Sequence, residues 1–338
     1  MRTAPPTSDD LFIAKKGRIS RGLGRVNLPH RSSHSDRGPK LGDVEAEQLR
    51  QEREQLIRVT IANRTFETHF QPIVDLRSGR PVGAEALSRF SHLPVQAPDT
   101  WFAEAASVGL GVELELAALD MALGQLHLLP ADLYLSVNAS VETIMSADFQ
   151  AALGGIPAER IVLELTEHTQ VSNYQKLEQS VEEIRSKGVR LAVDDAGSGY
   201  SSLQHILNLQ PDVIKLDIAL TRGIDKDPAR QALGRALLTF GLDAYNASIV
   251  AEGIETVGEF ETLRSLGCPS GQGYYLGRPG RMRAPHQASS NSALALVPPP
   301  DAEIASPLLW PHHDTGFEDQ ANEVGARLAS ATGRSKSA

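Results

Sequence analysis

The sequence predicts a β/α barrel, and three observations carry that prediction. Seven short apolar runs in the middle of the chain each close on a polar side chain able to bind metal or phosphate. They are Glu85 in PVGAEAL, Asn138 in YLSVN, Glu164 in IVLELTE, Asp194 and Asp195 in LAVDDAG, Lys215 in VIKLD, Glu252 in IVAEGIE and Gln272 in SGQGYYLG. Helix-like amphipathic segments lie between most of these runs, and regular strand–helix alternation favours a parallel barrel or an open doubly wound sheet. The composition is 41% hydrophobic but only 5% aromatic, so aliphatic side chains do the packing, as suits a parallel sheet buried on both faces. Eight strands can be counted, beginning with the one at Gln71. Chemistry at nearly every strand end tips the choice to the barrel, whose functional side chains converge on the rim at the carboxyl ends of the strands.

The elements follow in order. Residues 1–43 read as a disordered, mildly basic arm rich in Pro, Ser, Gly, Arg and Lys, too polar to build a core. Residues 44–64 form a charged lead-in helix whose apolar positions Leu49, Leu56, Ile57 and Ile61 lie against the domain. The barrel domain occupies 65–282. Its first strand is THFQPIVDL, and SGRP makes the turn into the second. The helix after Glu85 includes DTWFAEAASVGLG, with Asp99 or Thr100 as its cap and glycines at its end. SVEEIRSKG and EFETLRSLG are further helices that stop on glycine. Residues 283–338 mix prolines with scattered apolar residues and read as a mostly irregular tail.

The totals narrow the function. A net charge of −9 and a pI near 5.6 argue against general nucleic-acid or membrane-surface binding. An acidic protein that acts on an anion must bring positive charge to its site locally, through metal ions or single basic residues. The one cysteine, Cys268, excludes an intramolecular disulfide. No uninterrupted apolar stretch reaches the roughly 18 residues of a membrane span, and no signal peptide is evident. A cytoplasmic protein is the expectation.

The motif series QPIVDL, GAEALSRF, SVN, ELTE, DDAGSGYSSL, IKLD, AEGIET and GQGYYLGRP resembles the EAL domain, which takes its name from the triplet seen here as Glu85, Ala86 and Leu87. The resemblance covers roughly residues 60–281 in the family's motif order. A lone triplet would recur by chance; the ordered series is specific. It implies a modified TIM-type (β/α)8 barrel and a phosphodiesterase that opens cyclic di-GMP to linear pGpG, lowering signalling by that second messenger. The alternative is a catalytically silent cyclic di-GMP receptor that works through a protein partner. A homodimer is a further expectation of the resemblance.

Phosphodiester hydrolysis needs a strong nucleophile at neutral pH and neutralisation of transition-state charge, and two divalent ions about 3.5–4 Å apart supply both. Oxygen ligands without a sulfur or histidine cluster point to Mg²⁺ or Mn²⁺. By resemblance Glu85, Asn138, Glu164 and Asp194 hold one ion, and Asp194 bridges to a second that Asp195 also binds. Taken singly, Glu85 reads first as a helix-start carboxylate, Asn138 as a turn residue, and Asp194 and Asp195 as helix caps or an Asx-turn; jointly, in the family's order, the metal reading wins. Lys215 orients the attacking water, or else forms a structural ion pair with Asp217 or another rim carboxylate. Glu252 is a general base or a further contact in the metal and water network, and Gln272 bonds the water or the phosphate. Arg89 suits a phosphate clamp, Gln71 is a base, a phosphate contact or a buried strand amide, and Leu87, Asp217 and Glu255 are further substrate contacts. Glu167 anchors the loop after the paired aspartates, or caps a helix in TEHTQ. The chain departs from the usual family pattern at Ala196, where phenylalanine is common, at Ser198 for threonine and at Phe90 for tryptophan. Ala196 would loosen that loop without removing a ligand.

Overall fold

The computed structural model describes residues 41–91, 96–165, 174–197 and 200–282. Residues 1–40 of the predicted arm, the predicted tail, and the loop residues Glu167 and Ser198 lie outside these ranges, whereas positions 41–43 of the predicted arm are helical, so the lead-in helix starts three residues earlier than expected. Eight strands close into a barrel in chain order: β1 Phe66–Asp75, β2 Pro81–Phe90, β3 Tyr134–Ala139, β4 Ile161–Leu165, β5 Arg190–Ala196, β6 Val213–Leu216, β7 Ser248–Ala251 and β8 Ser270–Gly271. The helices among the described residues are α1 Leu41–Asn63, α2 Pro98–Ser107, α3 Gly111–Leu123, α4 Val141–Ile144, α5 Ala147–Ala152, α6 Tyr174–Ser186, α7 Tyr200–Leu209, α8 Ile218–Thr221, α9 Pro228–Thr239 and α10 Val257–Ser265. None is long and apolar enough to cross a membrane.

The barrel is not wholly parallel. β1 runs antiparallel to both β2 and β8, whereas β2 to β8 pair in parallel. The cause lies in the connection. Asp75 N–H and Arg80 C=O bond across a tight turn at 2.9 Å, and a turn that short joins only antiparallel strands, since a parallel crossover takes a dozen or more residues. One helix start also differs from expectation. α2 begins at Pro98 after Ala97, with no side-chain cap, and Asp99 sits in its first turn. Proline at the first helical position loses no hydrogen bond, because that N–H is unpaired in any helix. Gly109, at φ 78°, then ends the segment, and α3 starts afresh at Gly111.

Aliphatic packing holds the layers together. Ile73, Val162, Ala192, Val213 and Val250 fill the barrel interior, with Val82 and Tyr134 against them. Aromatics fasten the lead-in side, where Phe90 stacks between Phe66 and Trp101 at 5.1 and 5.0 Å. Ile57 of α1 is buried in the same cluster.

The end of β5 has a local irregularity that matters for the site. Val193 pairs with Ile214 but Ala196 pairs with Leu216, so one extra residue is accommodated as a bulge. Asp195 adopts φ 55° there, a left-handed conformation that aspartate tolerates better than most residues. In a regular strand Asp194 and Asp195 would face opposite sides; the bulge re-aims them to one rim. Ala196 itself is fully buried, and its carbonyl accepts from Asp217 N at 3.2 Å. Position 196 is thus tied through its backbone to the residue that follows β6.

Candidate active site

The rim is organised around Lys215. Its side chain stands on β6, which is buried at every position, and its Nζ lies 2.7 Å from Glu252, 2.8 Å from Glu164, 3.5 Å from Asp194 and 3.7 Å from Glu85. An ammonium in such a place is tolerable only because carboxylates surround it. Burial alone would pull its pKa down, but Asp194, Glu164, Glu252 and Glu85 together hold it well above the ordinary lysine value.

Each carboxylate answers differently to the same crowding. Burial pushes Glu85 up, yet Lys215 and hydrogen bonds from Gln272 and Asn138 outweigh it and keep the group below its usual value. For Glu164, burial and repulsion from Glu85 prevail over Lys215, and its pKa rises well above the ordinary range. Burial pushes Glu252 up to about 8. Without further positive charge the rim therefore stores protons.

Strand alternation sets the neighbours. Glu85, Leu87 and Arg89 share one face of β2, and Gln71 of β1 lies directly opposite Glu85. Gln272 follows β8 and donates through Nε2 to Glu85 at 2.5 Å and to Gln71 at 3.0 Å. Among the described residues its Oε1 is buried without a hydrogen-bond partner. Asn138 donates to Glu85 at 3.0 Å. The Asp194, Asp195 and Glu252 carboxylates bring one oxygen each within 4.8 Å of one another. Arg89 is half-buried, and its guanidinium bonds the Ser88 carbonyl at 2.9 Å; among the described residues it forms no ion pair. Burial is the main cause of its lowered pKa.

Most of the sequence-predicted set thus gathers on one rim. Two members are partly engaged elsewhere: Asp217 caps α8 through Ala219 N at 2.6 Å, and Glu255 pairs with Arg222. Glu167 lies outside the described residues. Three supporting residues were not anticipated. Ser136 donates to Glu164 at 2.5 Å; it sits two residues before Asn138, so strand alternation was a usable signal. Fully buried Thr221 donates to the Glu252 carbonyl, while Glu252 N bonds Leu216 O at 3.0 Å. Glu259 accepts from Gly223 N at 2.8 Å, Glu255 N at 2.9 Å and Thr256 N at 3.0 Å, fixing the two loops that follow β6 and β7.

A model of the EAL domain matches residues 54–279, two thirds of the chain. The chain belongs to the EAL domain family. Over 238 residues this EAL chain is 32% identical to MucR of Pseudomonas aeruginosa, described as a bifunctional diguanylate cyclase/cyclic di-GMP phosphodiesterase, covering 66% of this chain and 34% of MucR. A Synechocystis protein is 30% identical over 227 residues, which cover 63% of this chain and 32% of that protein. The EAL chain therefore spans about a third of the length of these relatives. Among solved structures, the PaMucR phosphodiesterase in complex with c-di-GMP matches with a TM-score of 0.61 and 30% identity, covering 68% of this chain and 97% of that one. Klebsiella pneumoniae BlrP1 in its manganese/cyclic di-GMP complex matches with a TM-score of 0.56 and 27% identity, covering 64% and 56%.

Proposed function

We propose that this rim hydrolyses cyclic di-GMP to linear pGpG with two divalent ions, Mg²⁺ or Mn²⁺. One observation carries the reading: four carboxylates lie within 4 Å of a single buried ammonium, more negative charge than one lysine can neutralise. The donor set is all hard oxygen, which fits magnesium or manganese. Glu85, Asn138, Glu164 and Asp194 would hold one ion, and Asp194 with Asp195 the other, with Glu252 bordering that second pocket. Bound there, the ions supply charge neutralisation at the phosphate and a lowered pKa for the attacking water. The MucR and BlrP1 complexes support this choice of substrate, and BlrP1 the choice of manganese.

The chain's own residues divide the remaining work. Lys215 and Gln272 orient the water, and Glu252 takes its proton as the new P–O bond forms. The bond from phosphorus to the ribose O3′ breaks, and that oxygen leaves with a proton from solvent. Arg89 clamps the phosphate oxygens, since no carboxylate among the described residues forms an ion pair with it. Gln71, Leu87, Glu255 and the second oxygen of Asp217 complete the substrate contacts, and Glu167 anchors the loop after the paired aspartates. A homodimer belongs to the same reading.

The test is incubation of the full chain with cyclic di-GMP and Mn²⁺ or Mg²⁺, with products separated by chromatography. The expected result is pGpG whose formation EDTA abolishes. Intact substrate from a folded preparation would overturn the reading, and tight binding without turnover would replace it with a receptor.

A further inference from the structure

The rim side chains from β3 to β7 stand on a second layer of residues, two positions earlier in the chain. Strand alternation puts both layers on the inner face of the barrel. Beneath Glu164, Asp194, Lys215 and Glu252 that layer carries Val162, Ala192, Val213 and Val250, which with Ile73 form the apolar interior. Beneath Asn138 it carries Ser136, a hydroxyl only 1% exposed.

A hydroxyl buried beside aliphatic side chains is costly unless it is hydrogen-bonded, and the partner here is a rim carboxylate. Ser136 Oγ donates to Glu164 Oε1 at 2.5 Å, the length of a charge-assisted bond. Lys215 Nζ donates to the other oxygen, Oε2, at 2.8 Å. Ser136 is the strand partner of Val162, one layer below Glu164, so its bond draws Oε1 down towards the apolar floor. Lys215 stands at the rim and holds Oε2 there. The two oxygens of this carboxylate are thus tied at different levels, and the rim oxygen is the one left within reach of an ion.

The number of oxygens that a carboxylate can give matters to the choice of ion. Mg²⁺ and Mn²⁺ favour a compact octahedron of about six oxygens. Ca²⁺ takes about six to eight at longer range, and readily uses both oxygens of one carboxylate. Glu164 could become such a two-oxygen ligand only by breaking its bond to Ser136. We propose that Ser136 is a positioning residue that keeps Glu164 a one-oxygen ligand, and so favours Mg²⁺ or Mn²⁺ over Ca²⁺. The inference rests on the two-metal reading above and adds ion selection to it.

The experiment titrates Mn²⁺ and Ca²⁺ separately into the full-length wild type and Ser136→Ala by calorimetry, without nucleotide. Ser136→Ala is expected to weaken one of the Mn²⁺ binding steps by about 10- to 100-fold, the usual loss when a group that orients a metal ligand is removed. Ca²⁺ should weaken far less or bind more tightly, so the preference for Mn²⁺ contracts by about 10-fold or more. A merely structural role would move both ions by the same factor. That result, or unchanged affinity for both, would overturn the proposal. If Ser136→Ala does not fold, wild-type crystals grown with Ca²⁺ decide. Glu164 still bonded to Ser136 supports the proposal, and Glu164 released from Ser136 with both oxygens on the ion overturns it. A folded wild type that binds neither ion would refute the two-metal reading and this inference with it. A wild type that binds both ions but leaves cyclic di-GMP intact would refute only the phosphodiesterase reading, and the comparison of ions still stands.

Discussion

Replacing Lys215 by methionine tests how the rim is held together. Methionine keeps the length and volume of the side chain, so the change removes charge without opening a cavity. The contact to Glu85, the carboxylate held below its usual value, is 3.7 Å long and is worth about 4–5 kcal/mol gross at an effective dielectric near 20. Desolvation of the ammonium cancels much of that gain. What remains on removing one partner of a buried pair is a net cost of about 3–5 kcal/mol, because the carboxylates lose their counter-charge. At about 2–4 °C per kcal/mol for a domain of this size, the melting temperature in EDTA should fall by about 6–20 °C. Manganese brings back positive charge, so it should raise the melting temperature of the variant by more than it raises the wild type. The assay is thermal unfolding followed by circular dichroism, with and without Mn²⁺. A variant that melts within about 2 °C of the wild type in EDTA would show that the carboxylates do not depend on Lys215, and the reasoning would fail.

Three further outcomes are expected. Asp194→Asn keeps the oxygen that accepts from Asp195 N at 2.9 Å but loses the charge shared between the two ion positions. Its turnover should fall by more than the about 10–100-fold typical of residues that only support metal ligands, with the melting temperature little changed. Thr221→Val leaves the Glu252 carbonyl without its hydroxyl donor at nearly constant volume, which should cost about 1–3 kcal/mol in urea unfolding, and Thr221→Ser should restore most of it. The third concerns pH. Glu252, pushed up to about 8, is protonated at neutral pH in the metal-free chain, so ion binding must displace a proton. Calorimetry in buffers of different ionisation enthalpy should register proton release at pH 7, with apparent affinity rising up to about pH 8 and levelling above it. Because the folded value lies above the ordinary carboxyl value, the metal-free fold loses this contribution to stability as pH rises toward 8.

Much of this architecture was readable from residues alone, for a physical reason. Parallel strands buried on both faces must be continuous apolar runs, so a polar residue at the end of such a run stands out, as Glu164 and Lys215 do. The antiparallel β1 was legible in principle from the short SGRP turn, but the repeated strand–helix alternation of the rest of the chain outweighed it. The shared orientation of Asp194 and Asp195 was not legible, because alternation sends adjacent strand residues to opposite faces and only the bulge with Asp195 at φ 55° reverses that. Thr221 and Glu252 are 31 positions apart, and no local pattern connects them; the contact arises only when β6 and β7 pair.

The central claim is that this ring of oxygens is a two-metal site. Anomalous diffraction from crystals grown with Mn²⁺ tests it most directly. The account predicts two peaks about 3.5–4 Å apart, with Asp194 between them, Glu85, Asn138 and Glu164 around one, and Asp195 beside the other. The absence of manganese from these carboxylates in a folded crystal, with Lys215 still bonded to Glu164 and Glu252, would contradict it.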